Sequence, residues 1–428
     1  MDKIWKIQES EPSLQRLLSL DLNIDSIVAH LLINRGIRTL DEAKQFLNPS
    51  LSSLADPFLL KNMSLVIDRI KQAQSKNELV LVFGDYDVDG VTSSVLLTNL
   101  IKHLGITVMN HIPHRVDDGY GLNHEIALFA KEKGVNLLIA VDCGISAYEE
   151  VETINKEGID VIIIDHHEPS HELPKAFAIV NPKQKDCPYP FKDLASVGLV
   201  AKLVQAVLGE IPHDFLEFVA IGTIADVVPL RGENRVFVKE GLPKINETKN
   251  KGLMALLEVA KIKGKQINPY AVGFILGPRI NATGRMDSAH KSLELFLSDD
   301  WEKAYQLAQV LEQHNVSRQK MQRDIVEQAM GLVDQEVNFN ERKVIVLSKE
   351  GWHKGVLGIV ASKIAEKYYR PSVVISLKDG IGTASARSIN GFHLYEALSK
   401  CATLLENYGG HSGAAGLTIR EENIDPFR

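Results

Sequence analysis

Short, continuous apolar runs that each stop at an acidic residue recur along this chain, and the recurrence restricts it to few folds. Leu79 to Phe83 leads into Gly84-Asp85-Tyr86-Asp87-Val88-Asp89-Gly90, Leu137 to Val141 stops at Asp142-Cys143-Gly144, and Val161 to Ile164 stops at Asp165-His166-His167. With Ile106 to Ile112 as a further run and amphipathic stretches between them, the pattern predicts a parallel sheet covered on both faces. In such a sheet ligands gather beyond the carboxyl ends of the strands, so the three acidic clusters are expected at one edge. Each cluster alone serves equally well as a turn or a helix cap, as Asp142 does if it caps a helix starting near Ser146. Three in succession exceed what packing requires.

Crowded carboxylates repel by several kcal/mol at low effective dielectric, so the cluster needs counter-charge, and divalent cations are its simplest source. Oxygen-rich ligation with one or two imidazoles suits Mn²⁺ or Mg²⁺ better than structural zinc. The three cysteines, Cys143, Cys187 and Cys401, lie far apart with no CxxC pair, which fits reduced thiols. Two such ions about 3.5 to 4 Å apart activate a water and stabilise the leaving oxygen in phosphodiester hydrolysis. Asp226, which ends the apolar stretch in Gly222-Thr223-Ile224-Ala225-Asp226-Val227-Val228-Pro229, is a candidate to close the site. The formal net charge of −7 is not the footprint of a broad basic face. A nucleic-acid partner therefore requires that part of this charge be the cluster itself, with a local basic groove left for phosphates.

A chain of 428 residues exceeds a single core, and two or three domains are expected. Residues 1–64 read as a helical lead-in, with short helices over Ser13 to Leu20, Ile24 to Asn34 and Leu40 to Leu47. Residues 65–230 form the first α/β domain, and 231–335 a helical region ending in a connecting helix. The wider helical stretch, Val197 to Val333, is expected to break near Pro229 to Gly232 and around Pro278 to Arg285. Its last part, Trp301 to Val333, is long, charged and proline-free, and is read as a helix bridging two domains. Residues 336–428 form a second α/β domain: a strand at Val344 to Leu347, a helix over Gly355 to Tyr368, a strand at Ser372 to Ser376 and a glycine-rich end at Gly409 to Gly416. No apolar run approaches the roughly 18 residues of a membrane span, and Met1-Asp2-Lys3-Ile4-Trp5 lacks signal-peptide order, so a cytoplasmic location is expected.

The ordered series Asp-Tyr-Asp-x-Asp-Gly, Asp-Cys-Gly, Asp-His-His and Gly-Thr-Ile-Ala-Asp-Val resembles the DHH phosphoesterase superfamily, in the version carried by its RecJ exonucleases. The resemblance runs from about Leu79 to Leu417. It continues in Ile112-Pro113-His114-Arg115 with Gly119-Tyr120-Gly121, in Pro278 to Arg285, in Gly351 to Ser362 and in Gly409 to Gly416. It implies an α/β protein with a larger parallel-sheet DHH domain and a smaller DHHA1 domain, joined by a long helix with the active-site cleft between them. It further implies metal ligands Asp85, Asp87, Asp89, Asp142, His166 and Asp226 for two Mn²⁺ or Mg²⁺ ions, with Asp142 as a bridge. His167 would position the reacting phosphate or handle a proton. His353 and His411 would each either face the scissile phosphate or be satisfied buried histidines. Arg115, Arg279, Arg285, Ser385 and Arg387 would grip DNA phosphates, and Gly409 and Gly410 would let backbone N–H groups approach them.

The activity so implied is 5′ to 3′ digestion of single-stranded DNA to 5′ mononucleotides in recombination and repair, beside a helicase and a single-strand-binding protein. The alternative is a DHH phosphodiesterase of short oligonucleotides or cyclic dinucleotides. Two departures accompany the resemblance. Phe83 stands where many members carry a histidine, so Asp85 is expected to take over that ligand role, and the 428 residues given include no stretch expected to form the OB-fold that RecJ proteins usually carry beyond the DHHA1 domain.

Overall fold

A computed structural model of the chain describes residues 8–114, 121–170 and 172–428. Within them the chain forms two compact units, the first from residues 8–113, 121–277 and 292–305, the second from residue 114, 278–291 and 306–428.

The first unit opens with α1 (Pro12–Leu22), α2 (Ser26–Asn34) and α3 (Leu40–Leu47), which share a small core of Leu18, Ala29, Leu32, Ile33 and Ala43. The start of α3 is fixed by a capping box, with the Thr39 side chain accepting from Glu42 N and the Glu42 carboxylate from Thr39 N. After α4 (Met63–Lys76) come β1 (Val80–Gly84), α5 (Val88–His103), β2 (Val108–His111), α6 (His124–Lys133), β3 (Leu137–Val141), α7 (Tyr148–Lys156), β4 (Asp160–Ile164) and β5 (Ala178–Val180). The strands lie in the order β2-β1-β3-β4-β5, all parallel. Alternate residues Leu81, Phe83, Leu138, Ala140, Val161 and Ile163 pack under α6 and α7 on one face. On the other face α5 packs on the strands and is itself covered by α8 (Ser196–Leu208) and α9 (His213–Ala225). Buried on nearly all sides, α5 carries small polar residues (Thr92, Ser93, Ser94, Thr98) as well as apolar ones on its buried faces and so shows no amphipathic signal. The helices α10 (Gly232–Asn246) and α11 (Lys251–Val259) follow.

The expected parallel sheet is present, with particular corrections. Helix α5 begins at Val88, because the Asp87 carboxylate caps it from outside. Helix α7 begins at Tyr148 after Ala147, so Asp142 is not its cap. The expected break around Pro278 to Arg285 does not occur. There α12 (Pro269–Ala271) runs through a π-helical turn, Val272–Leu276, into α13 (Gly277–Met286). Pro278 donates no backbone N–H, and the wider winding just upstream accommodates it without ending the helix. After α14 (His290–Leu297), α15 (Trp301–Glu336) extends for 36 residues. Among the described residues no single helix is long and apolar enough to cross a membrane.

The second unit carries β6 (Ile345–Glu350), α16 (Leu357–Tyr368), β7 (Ser372–Lys378), β8 (Ile381–Arg387), α17 (Leu394–Lys400), β9 (Leu405–Gly410) and β10 (Ala414–Arg420), its strands in the order β6-β7-β8-β10-β9. Only β6 and β7 pair in parallel; the other pairs are antiparallel. One face buries Leu347 and Val374 against Val360 and Ile364 of α16 and Ile325 and Ala329 of α15. The opposite face buries Val373, Ile375, Ala384, Leu417 and Ile419 with Leu394 and Leu398 of α17. The glycine-rich end is a β-hairpin rather than a bare turn.

Candidate metal centre

Strand order 2-1-3 makes β1 and β3 the point where the chain reverses its direction of winding, and open parallel sheets bind ligands there. The carboxyl ends of β1, β3 and β4 deliver Asp85 to Asp89, Asp142, and Asp165 to His167, while α9 ends at Asp226. Three groups of donor atoms each lie within 4.8 Å of one another: Asp85, Asp87 and Asp142; Asp89, His166 and Asp226; and Asp142, His166 and His167. The six metal ligands expected from the sequence therefore form one cluster.

Local interactions fix each of these groups. Asp87 Oδ1 accepts from Asp89 N at 2.8 Å and Gly90 N at 3.1 Å, turning the first motif into a helix start. Asp89 accepts from Ser196 N at 2.7 Å and Val197 N at 2.9 Å, so one carboxylate caps α8 from within α5. Glycine is required at two points of this packing. A Cβ on Gly90 would stand 2.4 Å from the Asp85 carbonyl oxygen, and one on Gly222 would stand 2.4 Å from Thr92 Oγ1. Asp142 itself adopts a left-handed backbone at φ 62, which an aspartate tolerates better than most residues.

Asp85, Asp89, Asp142 and Asp165 are buried, and burial decides the electrostatics. It pushes the Asp142 carboxyl well above the usual range, and the charges of Asp89, Asp87, Asp85 and Asp165 add to it. Asp89 is raised likewise, by burial and then by Asp226 and Asp87. Asp226 is pushed up to about 7 by burial and the Asp87 charge. His166 is held down to about 4, chiefly by burial and then by the neighbouring His167, which leaves its ring neutral as metal ligation requires. Its Nε2 is buried with no hydrogen-bond partner among the described residues, 3.4 Å from Asp142 Oδ1 and 3.7 Å from Asp226 Oδ2. A neutral imidazole nitrogen facing two carboxylates, among oxygen donors that repel one another, fits a hard or borderline divalent cation.

Asp165 has a role the sequence did not disclose. Its Oδ1 lies 2.7 Å from His167 Nδ1 and accepts from His167 N at 3.1 Å, while Oδ2 accepts from Ile145 N at 3.0 Å. Burial opposes a charge on His167, but the Asp165 hydrogen bond and charge overcome it and raise the imidazole to about 9. The Asp-His-His tripeptide thus combines a neutral histidine with a cationic one. Phe83, in the place of the family's histidine, is fully buried under α6 and α7, whereas Asp85 belongs to the cluster.

The remaining candidates lie elsewhere. Arg115 falls outside the described residues, as do Gly119 and Tyr120. In the second unit, Arg279 makes a bidentate ion pair with Glu312, Nε to Oε2 at 2.5 Å and Nη2 to Oε1 at 3.2 Å. Arg285 Nη1 donates to the Gly355 carbonyl at 3.1 Å, and His353 Nδ1 accepts from Gly355 N at 3.1 Å. His353 also lines a cavity of about 820 Å³ with Trp352, Gln328 and Lys354. Arg387 Nη1 donates to Ser385 Oγ at 3.2 Å, and a Cβ on Gly358 would stand 2.8 Å from Arg387 Nη2. Sheet pairing sets Ser385, Gly416 and Gly409 side by side across β8, β10 and β9, with Gly410 beside Ala415. His411 Nδ1 accepts from Gly413 N at 3.2 Å in the exposed hairpin turn. These residues are brought to one sheet and its flanking turns, apart from Arg279 and Arg285, which lie on α13, the first paired to Glu312 of α15 and the second bonded to the Gly355 carbonyl.

Comparison with known proteins accords with this geometry. The DHH family N-terminal domain matches residues 79–223, and the DHHA1 domain matches residues 341–428. The single-stranded-DNA-specific exonuclease RecJ of Bacillus subtilis is 42% identical over 99% of this chain, which spans 54% of that protein, about half its length. RecJ of Dickeya dadantii is 35% identical over 95% of the chain and is covered to 74%. Among solved structures, RecJ of Thermus thermophilus in complex with Mn²⁺ superposes with a TM-score of 0.85 at 32% identity, covering 98% of this chain and 60% of that one. A manganese-bound exonuclease RecJ superposes with a TM-score of 0.76 at 34% identity, covering 88% of this chain and 93% of that one. Agreement in motif order, strand order and overall fold along nearly the whole sequence leads to one conclusion: the chain belongs to the RecJ family of DHH proteins.

Proposed function

We propose that this chain is the catalytic core of a metal-dependent 5′ to 3′ exonuclease that hydrolyses single-stranded DNA to 5′ mononucleotides. The observation that carries the reading is the carboxylate cluster, in which three linked groups of donor atoms each lie within 4.8 Å of one another, two of them including the neutral His166. Asp85, Asp87 and Asp142 would hold one Mn²⁺ or Mg²⁺, and Asp89, His166, Asp226 and Asp142 a second. Such a pair supplies an activated water and charge stabilisation for the leaving oxygen.

The chain's own residues supply orientation and proton control. Asp165 fixes the ring plane of His167 and keeps a proton on Nδ1, so that a cation stands ready beside the reacting phosphate. Arg115, Arg279, Arg285, Ser385, Arg387, Gly409, Gly410 and His411 are assigned to the DNA backbone, with His353 as an auxiliary group at the scissile phosphate. Residues 1–64 are a lead-in, 65–230 the catalytic domain, 231–335 the helical connection and 336–428 the substrate-binding domain. Cytoplasmic work in repair and recombination, beside a helicase and a single-strand-binding protein, accompanies this reading.

Matched single-stranded oligonucleotides labelled at either end, digested with and without Mn²⁺, test it. Early release of the 5′ label as a mononucleotide is expected, together with loss of cleavage by at least three orders of magnitude on Asp142→Ala in a variant that keeps its circular dichroism spectrum. Cleavage confined to di- to tetranucleotides would favour a small-substrate phosphodiesterase instead. Undiminished cleavage by the variant would rule out the centre.

A further inference from the structure

We infer that Tyr270 and Phe274 form a base-stacking platform for the single strand next to the carboxylate cluster, an inference that rests on the nuclease reading above. Both rings are unusually open for aromatic side chains, Tyr270 at 65% exposure and Phe274 at 69%. They stack on each other with centroids 4.8 Å apart and planes inclined by 26°. The ring pairs Phe83 with His111 and Phe218 with Phe296 each involve a buried ring and serve packing, whereas both members of the 270–274 pair are exposed. The 270–274 pair buries little, so the core does not account for it, and exposing two rings to water is unfavourable unless something covers them.

The backbone beneath the pair is firmly held. Asn268 Oδ1 accepts from Ala271 N at 2.9 Å and Pro269 takes the first helical position, so the segment starts at one defined angle. Ala271, Val272 and Leu276 are buried on the inner side. In a regular α-helix positions 270, 273, 274 and 277 would share one face. The π-helical turn over Val272–Leu276 winds more widely and separates them. The two rings stay in solvent while Gly273 and Gly277 turn to the catalytic helices. A Cβ on Gly277 would stand 3.7 Å from Ala225 Cβ and 3.9 Å from Val88 Cγ2, and one on Gly273 would stand 4.0 Å from Ile224 Cγ2. Ala225 precedes Asp226, and Val88 lies between Asp87 and Asp89. The helix that carries the platform therefore packs on the residues that flank three carboxylates of the cluster.

A strand whose phosphate reaches the cluster carries its bases past this helix. Every base offers a π face, so aromatic stacking grips single strands without regard to sequence, as processive digestion requires. It also supplies affinity that does not depend on positive charge, in a chain whose net charge is −7.

The test titrates the full chain against a single-stranded oligonucleotide containing 2-aminopurine, with Ca²⁺ replacing Mn²⁺ so that binding is read apart from turnover. Tyr270→Ala/Phe274→Ala is expected to weaken binding about tenfold and to abolish the stacking quench, while the slope of log K against log salt stays unchanged. Abasic residues walked along the strand should include a position that weakens the wild type by a similar factor and the double variant by nothing further. The conservative Tyr270→Phe variant should keep both the quench and the affinity. An abasic penalty equally large in wild type and double variant would overturn the platform, whether or not affinity had fallen, and so would a double variant that binds and quenches like the parent. Should the double variant fail to fold, Phe274→Ser alone is read by the same abasic coupling. Strand binding and quenching without any cleavage in Mn²⁺ would sink the nuclease reading and leave the platform standing.

Discussion

Glu217 illustrates how burial alone sets the behaviour of a single residue. It lies in α9, 3% exposed, where its Oε1 accepts from Thr248 Oγ1 at 2.9 Å. Burial pushes its carboxyl up to about 8, with the Asp214 charge adding to the rise and the Thr248 hydrogen bond opposing it. The folded state therefore keeps a proton that the unfolded chain releases near 4.5. The contribution to stability is complete below about 4.5, falls as pH rises to about 8, and is flat beyond, by on the order of 1.4 kcal/mol for each pH unit crossed. Glu217→Gln is expected to remove this slope, stabilising the protein at pH 9 and changing little at pH 4.5. Urea denaturation at both pH values checks it, and an unchanged difference would refute the assignment. The ligands differ in legibility. Asp85, Asp87 and Asp89 announce themselves because they follow an apolar run at alternate positions. The orienting role of Asp165 does not, because it depends on the Ile145 amide and the His167 ring meeting it in space.

Among elements, a buried polar network binds the segment around Ala55 to α8 and α10 within the first unit. Glu233 at the start of α10 accepts from Ala55 N at 2.8 Å, from Tyr189 Oη at 2.5 Å and from Lys202 Nζ at 3.3 Å, and Lys202 also donates to the Ala55 carbonyl at 2.5 Å. Lys202 is wholly buried, so removing Glu233 strands its ammonium. Glu233→Ala is expected to cost roughly 3–5 kcal/mol, and Lys202→Met with Glu233→Leu much less, since the double change removes both charges. Chemical denaturation measures both; equal losses would contradict the network. The helix over Leu40 to Leu47 was readable, and local chemistry fixes its start, through the Thr39 capping box. The continuation of the helix through Pro278 was not, because the π-helical turn that permits it leaves no sequence signal. Strands β5 and β8 were also missed. The first has three residues, and the second, Ile-Gly-Thr-Ala-Ser-Ala-Arg, has small side chains in place of the usual β-branched run.

For the whole molecule, the largest expected effect is linkage between metal and stability. Carboxylates that are buried together destabilise the empty fold, and a cation bound only by the native state stabilises it by about 2.7 kcal/mol at a hundred times its dissociation constant. The melting temperature should rise by roughly 5–10 °C on saturation with Mn²⁺, and EDTA should reverse the shift. Asp142→Ala should lose most of it. Scanning calorimetry reads this without reference to activity, and a melting temperature indifferent to manganese would count against the centre.

Sequence by itself determined the parallel sheet and the positions of its acidic strand ends, because each follows from short-range periodicity, and the ordered motifs named the candidate metal donors through their family resemblance. Tertiary structure decided which groups meet and in what state of charge. His166 is neutral and His167 cationic, though they are neighbours in the chain, because burial and the His167 charge hold the first down while the second is bonded to the Asp165 carboxylate. Exposure also emerged only on folding. Tyr270 and Phe274 carry the spacing of a core stripe, and the wider winding beneath them turns that stripe outward.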